Sequence, residues 1–117
     1  MKSILIKNGT IVNEGSVFKS DILIENGRIS KISDNIDSNA DCEVFDATNK
    51  VILPGVIDDQ VHFREPGLTH KGNINSESRA AIAGGTTSFI EQPNTVPNAV
   101  TQEILEEKYS IASQTSH

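Results

Sequence analysis

Two nearly identical segments set the pattern of apolar and polar positions near the start of the chain. Ile4–Ile11 reads ILIKNGTI and Ile22–Ile29 reads ILIENGRI, so each segment places Asn-Gly between β-branched residues. Asn-Gly favours the positive φ angles of a type I′ turn and is a strong hairpin signal. The pattern therefore predicts two successive hairpins between about Lys2 and Ser33, with a turn at each Asn-Gly pair.

The pattern changes in the middle of the chain. After a polar segment, Glu43–Asp46 and Lys50–Leu53 read as two more short strands. At Pro54-Gly55 the short amphipathic strands give way to an apolar run that ends in polar residues. We therefore predict a domain boundary here, which divides the chain into residues 1–53 and 54–117.

The second part alternates strands with helices. A strand begins at Val56, and Thr86–Glu91 (TTSFIE) reads as the next strand. Asn75–Ala83 reads as a helix whose first turn Asn75 or Ser76 can cap. A second helix begins at Thr101, and its apolar positions fall on roughly one face: Ile104, Leu105, Tyr109 and Ala112. This order is typical of parallel α/β architecture, and a closed eight-stranded barrel needs about 250 residues.

Composition restricts the class of protein. The 117 residues carry 10 Lys and Arg against 16 Asp and Glu, a net charge of -6, so there is no basic surface for nucleic acid. No apolar run approaches the roughly 18 residues of a membrane span, and Lys7 interrupts the amino terminus too early for a signal peptide. The single cysteine, Cys42, cannot form an internal disulfide. We therefore expect a cytoplasmic protein that binds neither nucleic acid nor membranes.

Polar residues gather where the first strand after the boundary should end. Four of them alternate along the chain: Asp58, Gln60, His62 and Arg64. Alternate residues of a strand point to the same side, and α/β barrels place catalysis at the carboxyl ends of their strands. A plainer interpretation is that His62 is a hydrogen-bonded surface residue and that Arg64 pairs with a neighbouring carboxylate.

A second polar loop, Gln92–Asn98 (QPNTVPN), follows the second strand. By itself it is typical of a proline-rich turn in which Asn94 bonds its own backbone. Consecutive parallel strands are usually neighbours, which would bring Asn94 beside Arg64 on one rim. A guanidinium group next to an amide is a suitable receptor for a small carboxylate.

Taken together, these segments resemble the amino-terminal part of the dihydroorotases. The motifs in their order are PGVID, HFREPG, AGGTT and QPNTVP, which begin at Pro54, His62, Ala83 and Gln92. The dihydroorotases belong to the amidohydrolase superfamily of metal-dependent (β/α)-barrel hydrolases. The resemblance implies that residues 1–53 are part of a small β-sandwich. It also implies that residues 54–117 are the first two βα units of a (β/α)8 barrel, so that the chain is truncated.

The resemblance also implies a function. The parent protein would interconvert N-carbamoyl-L-aspartate and L-dihydroorotate in pyrimidine biosynthesis, with zinc (Zn2+) as its cofactor. Arg64 and Asn94 would bind the substrate carboxylate, and His62 would ligate zinc. Arg64 favours a dihydroorotase over the related hydantoinases and allantoinases, which stay open as alternatives. We expect a homo-oligomer, specifically a dimer, with other pyrimidine-pathway enzymes as candidate partners.

The chain departs from the family pattern in two respects. The family usually has His-x-His on this strand, whereas Gln60 stands at the first position, and an amide oxygen is a weaker ligand than imidazole. The other ligands and the acid-base aspartate of the pattern would lie beyond His117, so no catalytic residue is expected here and these residues alone should be inactive. Gln60 also keeps open a metal-free, dihydroorotase-like scaffold that binds a partner enzyme of the same pathway.

Overall fold

The computed structural model describes residues 2–117. The chain divides into two compact units, one ending at Pro54 and the other spanning Gly55–His117, one residue from the predicted boundary. The first unit forms one five-stranded sheet, and the second combines a two-stranded parallel sheet with two helices. Among the described residues, neither helix has the length and apolar character that crossing a bilayer requires.

The sheet of the first unit is built on its first strand, β1 (Ser3–Asn13). β1 pairs antiparallel with β2 (Ser16–Glu25), which in turn pairs antiparallel with β3 (Arg28–Ser33). On its other side β1 pairs parallel with β4 (Cys42–Asp46) and β5 (Val51–Ile52). The two short strands expected between residues 43 and 53 are therefore confirmed, although β5 has only two residues.

One of the two predicted hairpin turns is wrong. The Asn26-Gly27 turn is confirmed: it joins β2 to β3 with φ angles of 51° and 73°. Asn8-Gly9 instead lies inside β1, where the pairing with β2 shifts register between Ile6 and Gly9. The first hairpin turns later, at Glu14-Gly15, with φ angles of 48° and 75°. The first Asn-Gly pair thus forms a β-bulge and not a reversal of the chain.

Contacts from distant parts of the first unit explain the bulge. Asn8 tolerates the positive φ of 63° that the bulge requires, and its backbone N donates to Asp21 Oδ1 at 2.9 Å. Gly9 has no side chain, and a Cβ at this position would collide with the side chain of Ile52. The local sequence is nearly the same as at the Asn26-Gly27 turn, so we infer that the long-range partners decide between the two outcomes.

Asp21 is the buried polar centre of the first unit, with 2% of its surface exposed. Its Oδ1 accepts from Asn8, its Oδ2 accepts from the backbone N of Ile36 at 3.0 Å, and Lys7 Nζ lies 3.5 Å from Oδ2. Burial raises the pKa of this carboxyl group, but the hydrogen bonds and the charge of Lys7 outweigh burial and hold the pKa below its ordinary value. The ionised carboxylate therefore joins the bulge of β1 to β2 and to the loop after β3.

The second unit has the strand, helix, strand, helix order that the sequence predicts. β6 (Val56–Val61) and β7 (Thr86–Glu91) pair in parallel. α1 (Ile74–Ala83) connects them, and α2 (Gln102–Thr115) follows β7. The carboxyl ends of both strands therefore lie at the same edge of this small sheet.

Two details of the helices differ from the prediction. Asn73, and not Asn75 or Ser76, caps α1, because its side chain accepts from the backbone N of Ser76 at 2.8 Å. The apolar residues of α2 share one face, as predicted: Leu105, Tyr109 and Ala112 line the same pocket, although Leu105 and Tyr109 are 57% and 71% exposed. Lys108, which the predicted apolar face does not include, also lies on it and is only 5% exposed.

We predict that Asp21→Asn lowers the free energy of unfolding at neutral pH by about 1 to 3 kcal/mol, because an amide offers one acceptor oxygen where two backbone N–H groups need one each. The pKa of Asp21 is lowered by folding, so its contribution is complete above the unfolded pKa. That contribution is lost as the pH falls through the folded pKa. Urea denaturation of the complete protein between about pH 3 and pH 7 measures both effects.

Asp37→Asn is the matched control, because Asp37 is an exposed carboxylate of the same unit. In Asp37→Asn, the free energy of unfolding should fall with acid as it does in the wild type. In Asp21→Asn it should fall less, because the contribution of the ionised Asp21 carboxylate is already missing at neutral pH. Equal stability and equal pH dependence of the two variants would contradict the role assigned to Asp21.

Candidate functional site

The candidate site lies where β6 and β7 end. Two polar segments leave the sheet there, residues 62–73 and 92–101, which we call the first and second site loops. The backbone N of Gln92 donates to Val61 O at 3.0 Å, which extends the parallel pairing into both loops. His62 and Asn94 meet at this edge, with His62 Nδ1 2.9 Å from Asn94 Oδ1. The prediction that the two polar segments share one rim is confirmed.

The contact between His62 and Asn94 determines which ring nitrogen is free. An amide oxygen can only accept, so the neutral imidazole carries its proton on Nδ1 and presents the lone pair of Nε2. Metal-binding histidines are commonly oriented by a hydrogen bond of this kind from the other ring nitrogen. Asn94 Nδ2 donates no hydrogen bond within residues 2–117, so the donors of this exposed amide face outward unpaired.

β6 is irregular just before it reaches the site. Its pairing with β7 shifts between Asp58 and Val61. The backbone N of Gln60 donates to Asp58 Oδ1 at 3.1 Å, and Gln92 Nε2 donates to Asp59 O at 3.4 Å. Side chains thus form hydrogen bonds with backbone groups of β6 that would pair with the backbone of β7 in a regular sheet. The Gln60 side chain is exposed and forms no hydrogen bond within residues 2–117.

The predicted alternation of side chains along β6 is wrong at Arg64. The strand ends at Val61, and Arg64 adopts a left-handed conformation with a φ of 71°, so its side chain no longer follows strand parity. Its guanidinium group is half-buried and forms neither an ion pair nor a hydrogen bond with residues 2–117, Asn94 included. The parallel pairing brings His62, and not Arg64, to Asn94. Carboxylate binding by Arg64 and Asn94 stays a prediction.

Two carboxylates hold the backbone on either side of Arg64. The backbone N of Phe63 donates to Glu91 Oε1 at 2.8 Å, and the backbone N of Ile74 donates to Glu65 Oε2 at 2.9 Å. Glu65 thereby places its negative charge at the amino terminus of α1, where the helix dipole favours it. A left-handed conformation costs a non-glycine residue about 1 to 3 kcal/mol, and these bonds hold Arg64 in it.

A buried ion pair lies beneath the two site loops. Lys108 Nζ donates to Glu91 Oε2 at 2.9 Å and to Gln92 O at 2.6 Å, and the two side chains are 6% and 9% exposed. The sequence-based list of site residues contains neither Lys108 nor Glu91. The sequence does contain a signal for this ion pair. Lys108 stands four residues from both Ile104 and Ala112, so it lies on the same helix face as these apolar residues, and a lysine on a buried face needs a buried partner.

The two site loops also contact each other directly. The backbone N of Val96 donates to Pro66 O at 3.1 Å. Gly67, with a φ of 85°, lies so close to the Val96 backbone that any Cβ would collide with it. Thr95 is 2% exposed, and its Oγ1 donates to Pro97 O at 3.0 Å. The loops therefore form one continuous surface around His62.

The donor set for a metal ion is incomplete within this chain. Among residues 2–117, no three His, Cys, Asp or Glu side chains converge. Catalytic zinc usually takes three protein ligands and a water molecule. His62 Nε2 fits the role of one ligand, and the Gln60 amide oxygen is a weak second donor. Further ligands would have to come from outside these residues.

Known proteins match both units of the chain. The family described as Dihydro-orotase-like matches residues 49–116. Dihydroorotase from Sulfurihydrogenibium sp. (strain YO3AOP1) is 53% identical over 96 residues, which cover 80% of this chain and 23% of that protein. Dihydropyrimidinase from Dictyostelium discoideum is 48% identical over 91 residues, which cover 76% of this chain and 18% of that protein.

A solved structure matches nearly the whole chain. L-hydantoinase (dihydropyrimidinase) from Arthrobacter aurescens superimposes with a TM-score of 0.90 and 33% identity over 97% of this chain and 26% of its own. The chain spans about a quarter of the length of the dihydroorotases that it matches. Since the family match extends over more than half of the residues, including both site loops, this chain belongs to the Dihydro-orotase-like family.

Proposed function

We propose that the complete protein containing this chain is a dihydroorotase. It would be a zinc-dependent cyclic-amide hydrolase that interconverts N-carbamoyl-L-aspartate and L-dihydroorotate in pyrimidine biosynthesis. Relatives named dihydroorotase that are 42% to 53% identical over this stretch support the proposal. The observation that carries it is the contact of His62 with Asn94 at the carboxyl ends of two parallel strands, where α/β barrels place their active sites.

We also infer that Gly55–His117 is the beginning of a (β/α)8 barrel. Each of its two parallel strands is followed by a helix, which is the repeating unit of such barrels. The first unit would be part of a small β-sandwich, to which its single sheet contributes one layer. The match to L-hydantoinase over 97% of the chain supports both inferences.

The described residues can perform two tasks in this reaction. Zinc, when bound, lowers the pKa of a ligand water and polarises a carbonyl group. His62 would contribute Nε2 as one ligand, in the orientation that its bond to Asn94 maintains. Arg64 and Asn94 Nδ2 would donate hydrogen bonds to the substrate carboxylate and so hold the ring amide at the reacting position.

A second candidate is a related cyclic amidohydrolase, such as a hydantoinase, dihydropyrimidinase or allantoinase. The similarity to a dihydropyrimidinase and to an L-hydantoinase structure favours it. A plain hydantoin or dihydropyrimidine ring has no carboxylate, so it would leave the Arg64 guanidinium group without a partner. Arg64 therefore favours the dihydroorotase, and a direct comparison of the substrates separates the candidates.

We predict that Arg64→Met raises the KM of the complete protein for dihydroorotate about 10- to 100-fold, because a charge-assisted bond to the carboxylate is worth about 1.5 to 3 kcal/mol. Zinc content should not change. Steady-state kinetics and zinc analysis measure the two quantities. Arg79→Met is the control, since Arg79 is an exposed arginine of α1, and it should behave as the wild type. Unchanged kinetics in Arg64→Met would contradict carboxylate binding by Arg64.

A second prediction concerns the departure at Gln60. Gln60→His should tighten zinc binding by about 10-fold or more, because imidazole replaces a weak amide donor next to His62. Zinc retained per chain during dialysis against a chelator measures the change. Gln114→His is the control, since Gln114 is an exposed glutamine of α2 and should leave zinc retention unchanged.

Zinc content also separates catalysis from the scaffold alternative. After metal-replete expression, the complete wild-type protein should hold about one equivalent or more. Less zinc than this in both the wild type and Gln60→His would overturn the zinc site and favour a metal-free scaffold.

A further inference from the structure

A chain of hydrogen bonds through Lys108 connects the two site loops. It runs from the backbone N of Phe63 through the Glu91 carboxylate and the Lys108 ammonium group to Gln92 O. The backbone N of Phe63, in the first site loop, donates to Glu91 Oε1 at 2.8 Å. Glu91 Oε2 accepts from Lys108 Nζ at 2.9 Å, and the same Nζ donates to Gln92 O, in the second site loop, at 2.6 Å. His62 lies one residue before Phe63, and Asn94 lies two residues after Gln92. One buried charge pair therefore anchors the backbone next to both of them.

A purely structural role does not require a charge at this position. Burying an ammonium group and a carboxylate costs solvation energy, and apolar residues of similar volume often stabilise a core equally well. Methionine could fill the space of Lys108, which is 5% exposed. Methionine could not donate to Gln92 O, so the link from Glu91 through Lys108 to the second site loop would be lost, and the loops would keep only their direct backbone bonds.

We propose that Lys108 is a positioning residue of the candidate site. It holds the second site loop through Gln92 and the first site loop through Glu91. The loops then lie at the separation at which His62 Nδ1 reaches Asn94 Oδ1. The kinetic consequence rests on the proposed function, whereas the geometric consequence does not.

The expected effect is larger on substrate binding than on turnover. Without Lys108 the second site loop keeps its backbone bonds from Gln92 N and Val96 N, and Asn94, which lies between them, is free to shift away from both His62 and the carboxylate-binding position. Loss of a group that orients a site residue typically costs about 10- to 100-fold. We expect this loss to appear as a higher KM for dihydroorotate, together with a loss of the hydrogen bond from His62 Nδ1 to Asn94 Oδ1.

The test compares two variants of the complete protein. Lys108→Met leaves the carboxylate of Glu91 buried without a cation and therefore also reduces stability. The double variant Glu91→Gln/Lys108→Met removes both charges and keeps an amide oxygen to accept from Phe63. It restores electrical neutrality but not the bond to Gln92 O. Lys31→Met, which removes an exposed lysine of β3 outside both site loops, is the control.

Three quantities are measured for each variant: the unfolding midpoint, the KM for dihydroorotate and the 1H and 15N signals of the His62 Nδ1–H group, which report its hydrogen bond to Asn94. The double variant should recover stability relative to Lys108→Met, while its KM stays raised by about 10-fold or more and its Nδ1–H signal stays altered. Recovery of KM and of the Nδ1–H signal together with stability would overturn the proposal, as would wild-type values of both in Lys108→Met.

The experiment tests the positioning role of Lys108 independently of the proposed function. If the wild-type protein does not hydrolyse dihydroorotate, the proposed function is wrong, and the His62 ring signals still test Lys108. If the wild type is active and the double variant keeps the wild-type Nδ1–H signal and KM, Lys108 is only structural and the proposed function stands.

Discussion

Parallel pairing between β6 and β7 brings the polar groups of the second unit together. Parallel strands end at the same edge of a sheet, so the loops after Val61 and after Glu91 start side by side. The same pairing places the last residue of β7, a glutamate, where it faces the interior. Its charge requires a buried cation, which α2 supplies through Lys108. The helix that follows the second strand is therefore tied to the site by electrostatics as well as by apolar contacts.

The elements and their order could be predicted from the sequence, but the bulge of β1 could not. Both Asn-Gly pairs lie in nearly identical segments, ILIKNGTI and ILIENGRI, and local turn preference treats them alike. Asp21 and Ile52 distinguish them, through a hydrogen bond to Asn8 and through the space next to Gly9. Neither contact can be predicted from the residues next to Asn8-Gly9, because both partners are more than ten residues away in the sequence.

In the candidate site, too, some features could be predicted from the sequence and others could not. Its location and the approach of its two loops followed from strand order, which depends on general rules for parallel sheets. The direction of the Arg64 side chain did not follow, because the left-handed backbone there is held by the carboxylates of Glu65 and Glu91. The ion pair of Lys108 did not follow either. The apolar residues of α2 indicate its inner face, but they do not show that a lysine in the middle of that face meets a buried carboxylate on β7.

The amide of Asn94 has two ends, and the structure uses only one of them. Its oxygen accepts from His62 Nδ1, while its nitrogen has no partner within residues 2–117. Hydrogen bonds that share one amide polarise each other, so an acceptor on the nitrogen strengthens the bond to the imidazole. Such linkage is reciprocal, because each event changes the free energy of the other by the same amount. An anion at Asn94 Nδ2 and a ligand at His62 Nε2 would consequently be coupled through a single side chain, with no movement of the backbone required.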